Sequence, residues 1–403
     1  MSTRIHVQNV YKINYIKLTE IKKIYYWSPH LVNIATPIAV INSACAIQKY
    51  SKHYKCSIIN FFGEFNFFQQ RPIFQKLKFI NFYSKKIIKL LPKHGWLQSR
   101  FSFIIFFMLA FIPLKNLIQK DKPDYLVIHL ITALPLFLLT IFNFHTKFIL
   151  RISGKPRLNF LRKFFWKLSL KNIYLVTCPT ISTLNYLKSL NIVDSGKIKL
   201  LYDPIVNVQK ISKKSILAST NDIFKFNDYF FAAGRLTYQK NFLFLCEAFK
   251  KLVNKYPYEK LIIAGEGEDK NKILLFIKNN NLENNIILIG HIDNIQLYMK
   301  NAKCFILSSL WEDPGFVLIE AAVARLFTIS SDCDTGPKEL IEDNVNGILF
   351  TSNNSQSLFS KLEQSLFIKE NKRNEMIFKN LKLSKKFTLF AHSRSLIKLL
   401  SQI

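Results

Sequence analysis

A chain of 403 residues exceeds what one hydrophobic core ordinarily fills, so two domains of about 200 residues are expected. A hydrophobic content of 49% excludes a disordered chain and suffices for both cores. The net charge of +31 is unevenly spread: residues 1–205 hold 30 Lys+Arg against 6 Asp+Glu, and residues 206–403 hold 27 against 20. A basic half beside long apolar runs suits an anionic membrane surface or an anionic acceptor. It does not suit nucleic acid, whose binders interleave charge with exposed aromatics; here the 37 Phe lie mostly in apolar, core-like runs. The six cysteines, Cys45, Cys56, Cys178, Cys246, Cys304 and Cys333, are scattered with no Cys-x-x-Cys pair. That argues against a zinc site or disulfide framework and fits a reducing cytoplasm.

The N-terminus shows no apolar core followed by a cleavage site. In chain order, strands are expected at Lys23 to Trp27 and Cys56 to Phe61, with a helix from Pro37 to Tyr50 between them. The 98–119 stretch reads as a helix. Its apolar part, Phe101 to Leu114, is 14 residues interrupted by Ser102 and Pro113. A spanning helix needs about 20. Leu126 to Phe144 is longer but contains His129, Thr132, Pro135, Thr140 and Asn143, and reads as a strand, a loop and a buried helix. Further strands are expected at 148–153, 173–178 and 198–202, and a polar linker at 206–227. The second half alternates strands at 229–233, 260–264, 285–289, 304–307 and 328–331 with helical stretches. An amphipathic helix closes the chain from about 386. Such alternation indicates two doubly wound α/β domains with parallel sheets, whose ligands sit at the carboxyl ends of the strands.

The chemistry gathers at those ends. Ala302 to Ser309 reads as a strand, Leu310 to Pro314 as a loop, and Gly315 onward as a helix start. Glu312 lies in the loop and Glu320 inside the apolar helix, where a carboxylate is costly without a fixed partner. Carboxylates accept hydrogen bonds from vicinal hydroxyls such as those of a ribose. The helix-start N–H groups between the two acids suit a diphosphate. Upstream stands Ala233-Gly234-Arg235-Leu236-Thr237-Tyr238-Gln239-Lys240-Asn241. Downstream stands Asp332-Cys333-Asp334-Thr335-Gly336-Pro337-Lys338-Glu339.

These three elements, in this order, resemble family 4 of the retaining glycosyltransferases, enzymes of the GT-B fold with an E-x7-E motif. The match is good over about 228–350 and loose over the first 200 residues. The resemblance implies two Rossmann-like domains facing across a cleft: 1–205 for the acceptor, 228–385 for a UDP- or GDP-linked sugar, and 386–403 as a helix that in the family crosses back. Arg235 and Lys240 would meet the donor diphosphate, with Gly315, Phe316 and Val317 adding backbone N–H groups. Glu320 would take the ribose hydroxyls and Glu312 the donor sugar. His291 and Ile292, after Gly290, resemble the loop that stacks on the base, although a plain strand exit explains them nearly as well. Gly265-Glu266-Gly267 is common turn chemistry. His129, at a strand end, resembles the histidine near the reacting carbon, against the ordinary alternative of a structural histidine. Arg151 is a candidate phosphate or acceptor contact. One departure stands out: where many relatives carry Gly-Gly after the first strand, this chain has His30-Leu31-Val32-Asn33-Ile34-Ala35-Thr36.

The sequence thus supports a metal-independent, retaining glycosyltransferase moving sugar to a glycan or lipid-linked acceptor in cell-envelope polysaccharide or lipopolysaccharide assembly. It would be cytoplasmic and peripheral on the inner face of the membrane, with no nucleic-acid partner. The alternatives are a sugar-nucleotide 2-epimerase on the same fold, which needs an extra acid/base set in the cleft, and a basic membrane-binding module.

Overall fold

The structure, a computed structural model, describes residues 20–30, 35–71, 74, 76–83, 96–207 and 228–402, with backbone alone at 35–36 and 96–103. The loop at 31–34, and the expected linker apart from Val206 and Asn207, lie outside the described residues.

The first sheet contains β1 (Lys22–Trp27), β2 (Tyr54–Asn60), β3 (Lys78–Asn81), β4 (Tyr125–Ile128), β5 (Lys147–Arg151), β6 (Leu175–Cys178) and β7 (Ile198–Leu200). They run in the order β3-β2-β1-β4-β5-β6-β7, with every pairing parallel. The second contains β8 (Tyr229–Ala233), β9 (Leu261–Ala264), β10 (Ile286–Gly290), β11 (Ala302–Leu307), β12 (Thr328–Ser331) and β13 (Ile348–Phe350), in the order β10-β9-β8-β11-β12-β13, again parallel. Strand order reverses beside β1 and beside β8, the switch points at which such sheets bind ligands.

Helices cover both faces of each sheet. On the first domain they are α1 (Ala35–Tyr50), α2 (Trp96–Asp121), α3 (Ala133–Ile141), α4 (Phe160–Ser169) and α5 (Ile181–Ser189). On the second they are α6 (Phe242–Lys255), α7 (Lys270–Asn279), α8 (Ile295–Asn301), α9 (Phe316–Val323), α10 (Ser355–Leu366) and α11 (Glu370–Ser384). Strand alternation divides each core in two. Ile24 and Tyr26 pack on one side of β1 with α1, and Tyr25 and Trp27 on the other with α2. In β8, Phe230 and Ala232 face α6, while Phe231 and Ala233 face α9.

The last helix, α12 (Leu389–Ser401), returns to the first domain. Leu396 and Leu400 are buried with Ile24, Ile47 and Tyr125, and the Tyr125 hydroxyl donates to the Leu400 carbonyl at 3.2 Å. His392 is enclosed there: its Nδ1 meets the Tyr202 carbonyl at 2.7 Å and its Nε2 the Ser43 hydroxyl at 2.7 Å. Just before it, Phe387 remains in the second domain's core, and its carbonyl accepts from the N–H groups of Ile205 and Val206 at 2.9 Å each.

Phe101 to Leu114 falls within α2. Among its described side chains, Phe106, Ala110 and Leu114 are buried, while Ile104, Met108, Leu109 and Ile112 are exposed. Among the described residues, no helix is long and apolar enough to cross a membrane.

Candidate active site

Three loops of the second domain meet at the carboxyl ends of β8, β11 and β12. After β8 the chain passes Gly234 and Arg235 into a single 3-10 turn, Tyr238–Lys240, which Asn241 closes at φ 55° before α6 begins. The β11 exit is stitched to that turn. Leu310 N–H donates to the Gln239 carbonyl at 2.9 Å, Gln239 Nε2 to the Trp311 carbonyl at 2.9 Å, and Ser308 Oγ to the Lys240 carbonyl at 2.8 Å. Lys240 therefore reaches Glu312, and Nζ and Oε1 form an ion pair. Glu312 is only 4% exposed. Ser309 Oγ donates to the same carboxylate at 2.5 Å, and the Thr335 hydroxyl donates to the Glu312 carbonyl.

Glycine permits the tight loop packing. A Cβ at Gly265 would lie 1.8 Å from the Gly234 carbonyl oxygen, and one at Gly267 would lie 2.3 Å from that of Leu236. The Gly265-Glu266-Gly267 pattern thus serves close backbone approach under the Arg235 turn.

Glu320 lies half-buried in α9. Gly315 precedes that helix at φ 86°, in the left-handed region, and Phe316 and Val317 form its first turn, where N–H groups have no intrahelical acceptor. Arg235 is exposed. His291 and Ile292 follow the outer strand β10, two strands from β8. The His291 ring is in solvent, 3.9 Å from Asp293, and Ile292 packs partly against the core. The structure thus brings Lys240 and Glu312 into contact next to the α9 start, leaves Arg235 exposed on the loop that carries Lys240, and places His291 at the sheet edge.

Opposite, the first domain presents His129, His30 and Arg151 at the ends of the adjacent strands β4, β1 and β5. His129 N–H donates to the Trp27 carbonyl at 2.7 Å, and its Nδ1 lies 3.2 Å from Ser28 Oγ. Burial, then the nearby Arg151 charge and His30, push its pKa well below the usual range, so the ring is neutral. His30 Nδ1 lies 3.2 Å from the Ser28 carbonyl, which can only accept, so Nδ1 carries the proton and Nε2 is an acceptor. Burial lowers this pKa as well. Nε2 of both histidines is buried without a hydrogen-bond partner. Arg151 turns inward: Nε and Nη2 both donate to Asp203 Oδ1, leaving Nη1 buried and unpartnered. A reaching phosphate ligand is thus reduced to one nitrogen. Sequence reasoning missed His30 and Asp203. Their signal was a polar residue three positions past a strand end, in Ser28-Pro29-His30 and Tyr202-Asp203-Pro204.

Among the described residues, the domains touch beside this cluster at Gly154 and at Glu339. A Cβ on Gly154 would lie 2.3 Å from Asp313 Oδ2. Burial, with Glu312 adding repulsion against an opposing Thr335 hydrogen bond, raises the Asp313 carboxyl to about 6. Farther back, Glu339 crosses over and accepts from the N–H groups of Ile181 and Ser182 at 2.7 and 2.6 Å, capping α5. The cavity beside it, about 30 Å³, is lined by Thr180, Tyr202, Pro314, Glu339 and Phe387. The carboxylate of Glu64, at the β2 exit, is occupied by the N–H groups of Phe61 and Phe62 at 3.1 and 2.7 Å, and burial raises it to about 7. Among the described residues, no group of three or more His, Cys, Asp or Glu side chains is placed to hold a metal.

Residues 214–382 match the family described as glycosyl transferases group 1. The chain is 34% identical to an uncharacterized glycosyltransferase of Methanocaldococcus jannaschii, over 56% of this chain and 60% of that protein. It is 31% identical to a Campylobacter jejuni N-acetylgalactosaminyltransferase whose name specifies a diphospho-undecaprenol-linked acceptor, over 42% of this chain and 44% of that protein. The chain thus spans less than two thirds of either relative's length. The structure of Anabaena HepE in complex with UDP and glucose superposes with a TM-score of 0.67 at 15% identity, covering 95% of this chain and 100% of that one. With its two facing parallel α/β domains, the chain has the GT-B fold.

Proposed function

We propose that this chain is a retaining, family 4-type glycosyltransferase that moves a sugar from a UDP- or GDP-linked donor to a glycan or lipid-linked acceptor in cell-envelope glycan assembly. The observation that carries the reading is the part-buried Lys240–Glu312 pair beside the start of α9, opposite the neutral His129. The HepE complex with UDP and glucose, and the lipid-diphosphate acceptor named for the Campylobacter relative, support the donor and acceptor classes.

In this reading Lys240 exchanges Glu312 for a donor phosphate oxygen, and Glu312 then accepts from a sugar hydroxyl. Arg235, Lys240 and the N–H groups of Gly315, Phe316 and Val317 offset the charge that grows on the departing nucleotide, so no metal is required. Glu320 accepts the ribose hydroxyls, and His291 and Ile292 border the base. The bond from the anomeric carbon to the phosphate oxygen breaks and the acceptor oxygen bonds from the same face. The acceptor's proton passes to the phosphate oxygen that leaves, which retains configuration without a covalent enzyme intermediate. His129 and the free nitrogen of Arg151 line that face, toward the sugar and the acceptor. The enzyme works in the cytoplasm at the inner face of the membrane.

A thermal-shift screen of nucleotide sugars identifies the donor, since binding stabilises by mass action. Glu320→Ala is expected to keep the fold and lose nucleotide binding by calorimetry. Unchanged binding would remove Glu320 from the donor site, and NMR of the first-formed anomer tests retention.

A further inference from the structure

A helix on a soluble domain ordinarily turns its apolar stripe to the core. Helix α4 also carries one outward. Phe160, Leu161, Phe164 and Leu168 are 84%, 73%, 59% and 47% exposed. At i, i+1, i+4 and i+8 they share one face. Meanwhile Phe165 and Trp166 pack partly against the core, so the helix is anchored from its other side. Asn159 caps it, its side chain accepting from Arg162 N–H at 2.9 Å, so the outward face is held in a formed helix.

The charge around this face has one sign. From Tyr125 to Val193 the chain runs 69 residues without an Asp or Glu, while holding nine Lys and Arg. Lys155, Arg157, Arg162, Lys163 and Lys167, within or just before α4, are all exposed. Helix α2, which contributes to the same core layer, adds the exposed Ile104, Met108, Leu109 and Ile112. An apolar crest rimmed by basic residues matches the acyl boundary and anionic headgroups of a bilayer.

Position links this face to chemistry. The β5 exit meets the second domain where Gly154 abuts Asp313, and only residues 155–159 separate that contact from Phe160. Five residues span at most about 18 Å. A surface bound by α4 therefore lies close to the mouth of the cleft.

We propose that the outward face of α4, with its basic rim, docks this chain on an anionic lipid bilayer and so presents the cleft to acceptors held at that surface. The proposal rests on the reading of a membrane-peripheral enzyme and names the element responsible. It is tested by flotation of the full chain with phosphatidylglycerol-containing and with pure phosphatidylcholine vesicles, at low and high salt. The variants are Phe160→Ser/Phe164→Ser, Lys163→Glu/Lys167→Glu, and Phe378→Ser as a control on exposed α11. The parent and control should float with anionic vesicles and be released by salt, and both α4 variants should lose binding by about tenfold or more. Because all these side chains are exposed, melting temperatures should stay together; should the phenylalanine variant misfold, the lysine variant decides. If both α4 variants float like the parent, α4 is not the contact and the peripheral reading stands. If the parent floats with neither vesicle, both fall. A parent dimer dissociated by the same substitutions would assign the face to a second copy and overturn the proposal.

Discussion

Lys240 and the Ser309 hydroxyl converge on the Glu312 carboxylate in a nearly closed site. Removing one member of a buried pair leaves an uncompensated charge, at a cost of about 3–5 kcal/mol, whereas removing both costs less. Lys240→Met and Glu312→Gln are therefore compared in a double-mutant cycle by urea unfolding. Lys240→Met is expected to destabilise the second domain by about 3 kcal/mol, and the double variant to recover part of that loss. Additive losses would mean that the pair is uncoupled. The spacing of Glu312 and Glu320 and the order of the motifs were legible in the sequence because a strand end and a helix start fix them locally. The partners of Arg151 and Glu339 were not. Asp203 is 52 positions from Arg151, and the amides that Glu339 caps are 157 and 158 positions away. Only the assembled fold makes such neighbours.

At the scale of elements, the central strands were readable because burial on both faces leaves them as short apolar runs. The strands β3 and β13, each at a sheet edge, were not among the expected elements. Helix α12 was legible as amphipathic, while its destination is set by His392 and Leu400. His392 is pushed down to about 4, chiefly by burial, with Arg151 lowering it further and the Tyr202 carbonyl and Asp203 opposing. An unfolded histidine titrates near 6.5. Above about 6.5 the ring is neutral in both states; between about 6.5 and 4 the unfolded chain takes a proton that the folded chain refuses. Stability is therefore lost as pH falls through that window, by up to about 3 kcal/mol from this group. Urea midpoints from pH 7 to 4.5 should fall less steeply in His392→Asn than in the parent. Parallel slopes would place the acid sensitivity elsewhere.

For the whole molecule, the domains are joined by the returning α12 and by contacts across the cleft, of which Glu339 supplies a charged one. Its two hydrogen bonds join a carboxylate to a helix N-terminus, the stronger class of hydrogen bond. Glu339→Ala should leave each domain folded by circular dichroism while broadening the pair-distance distribution in solution scattering. An unchanged distribution would show that the orientation is fixed by the remaining contacts alone. The return of α12 has a consequence for synthesis. Leu396 and Leu400 belong to the same buried layer as Ile24 on β1, yet they are translated after the entire second domain. Domains generally fold as they leave the ribosome, N-terminal ones first. Here the first domain emerges early with an open seam and seals it only when its last helix has been made.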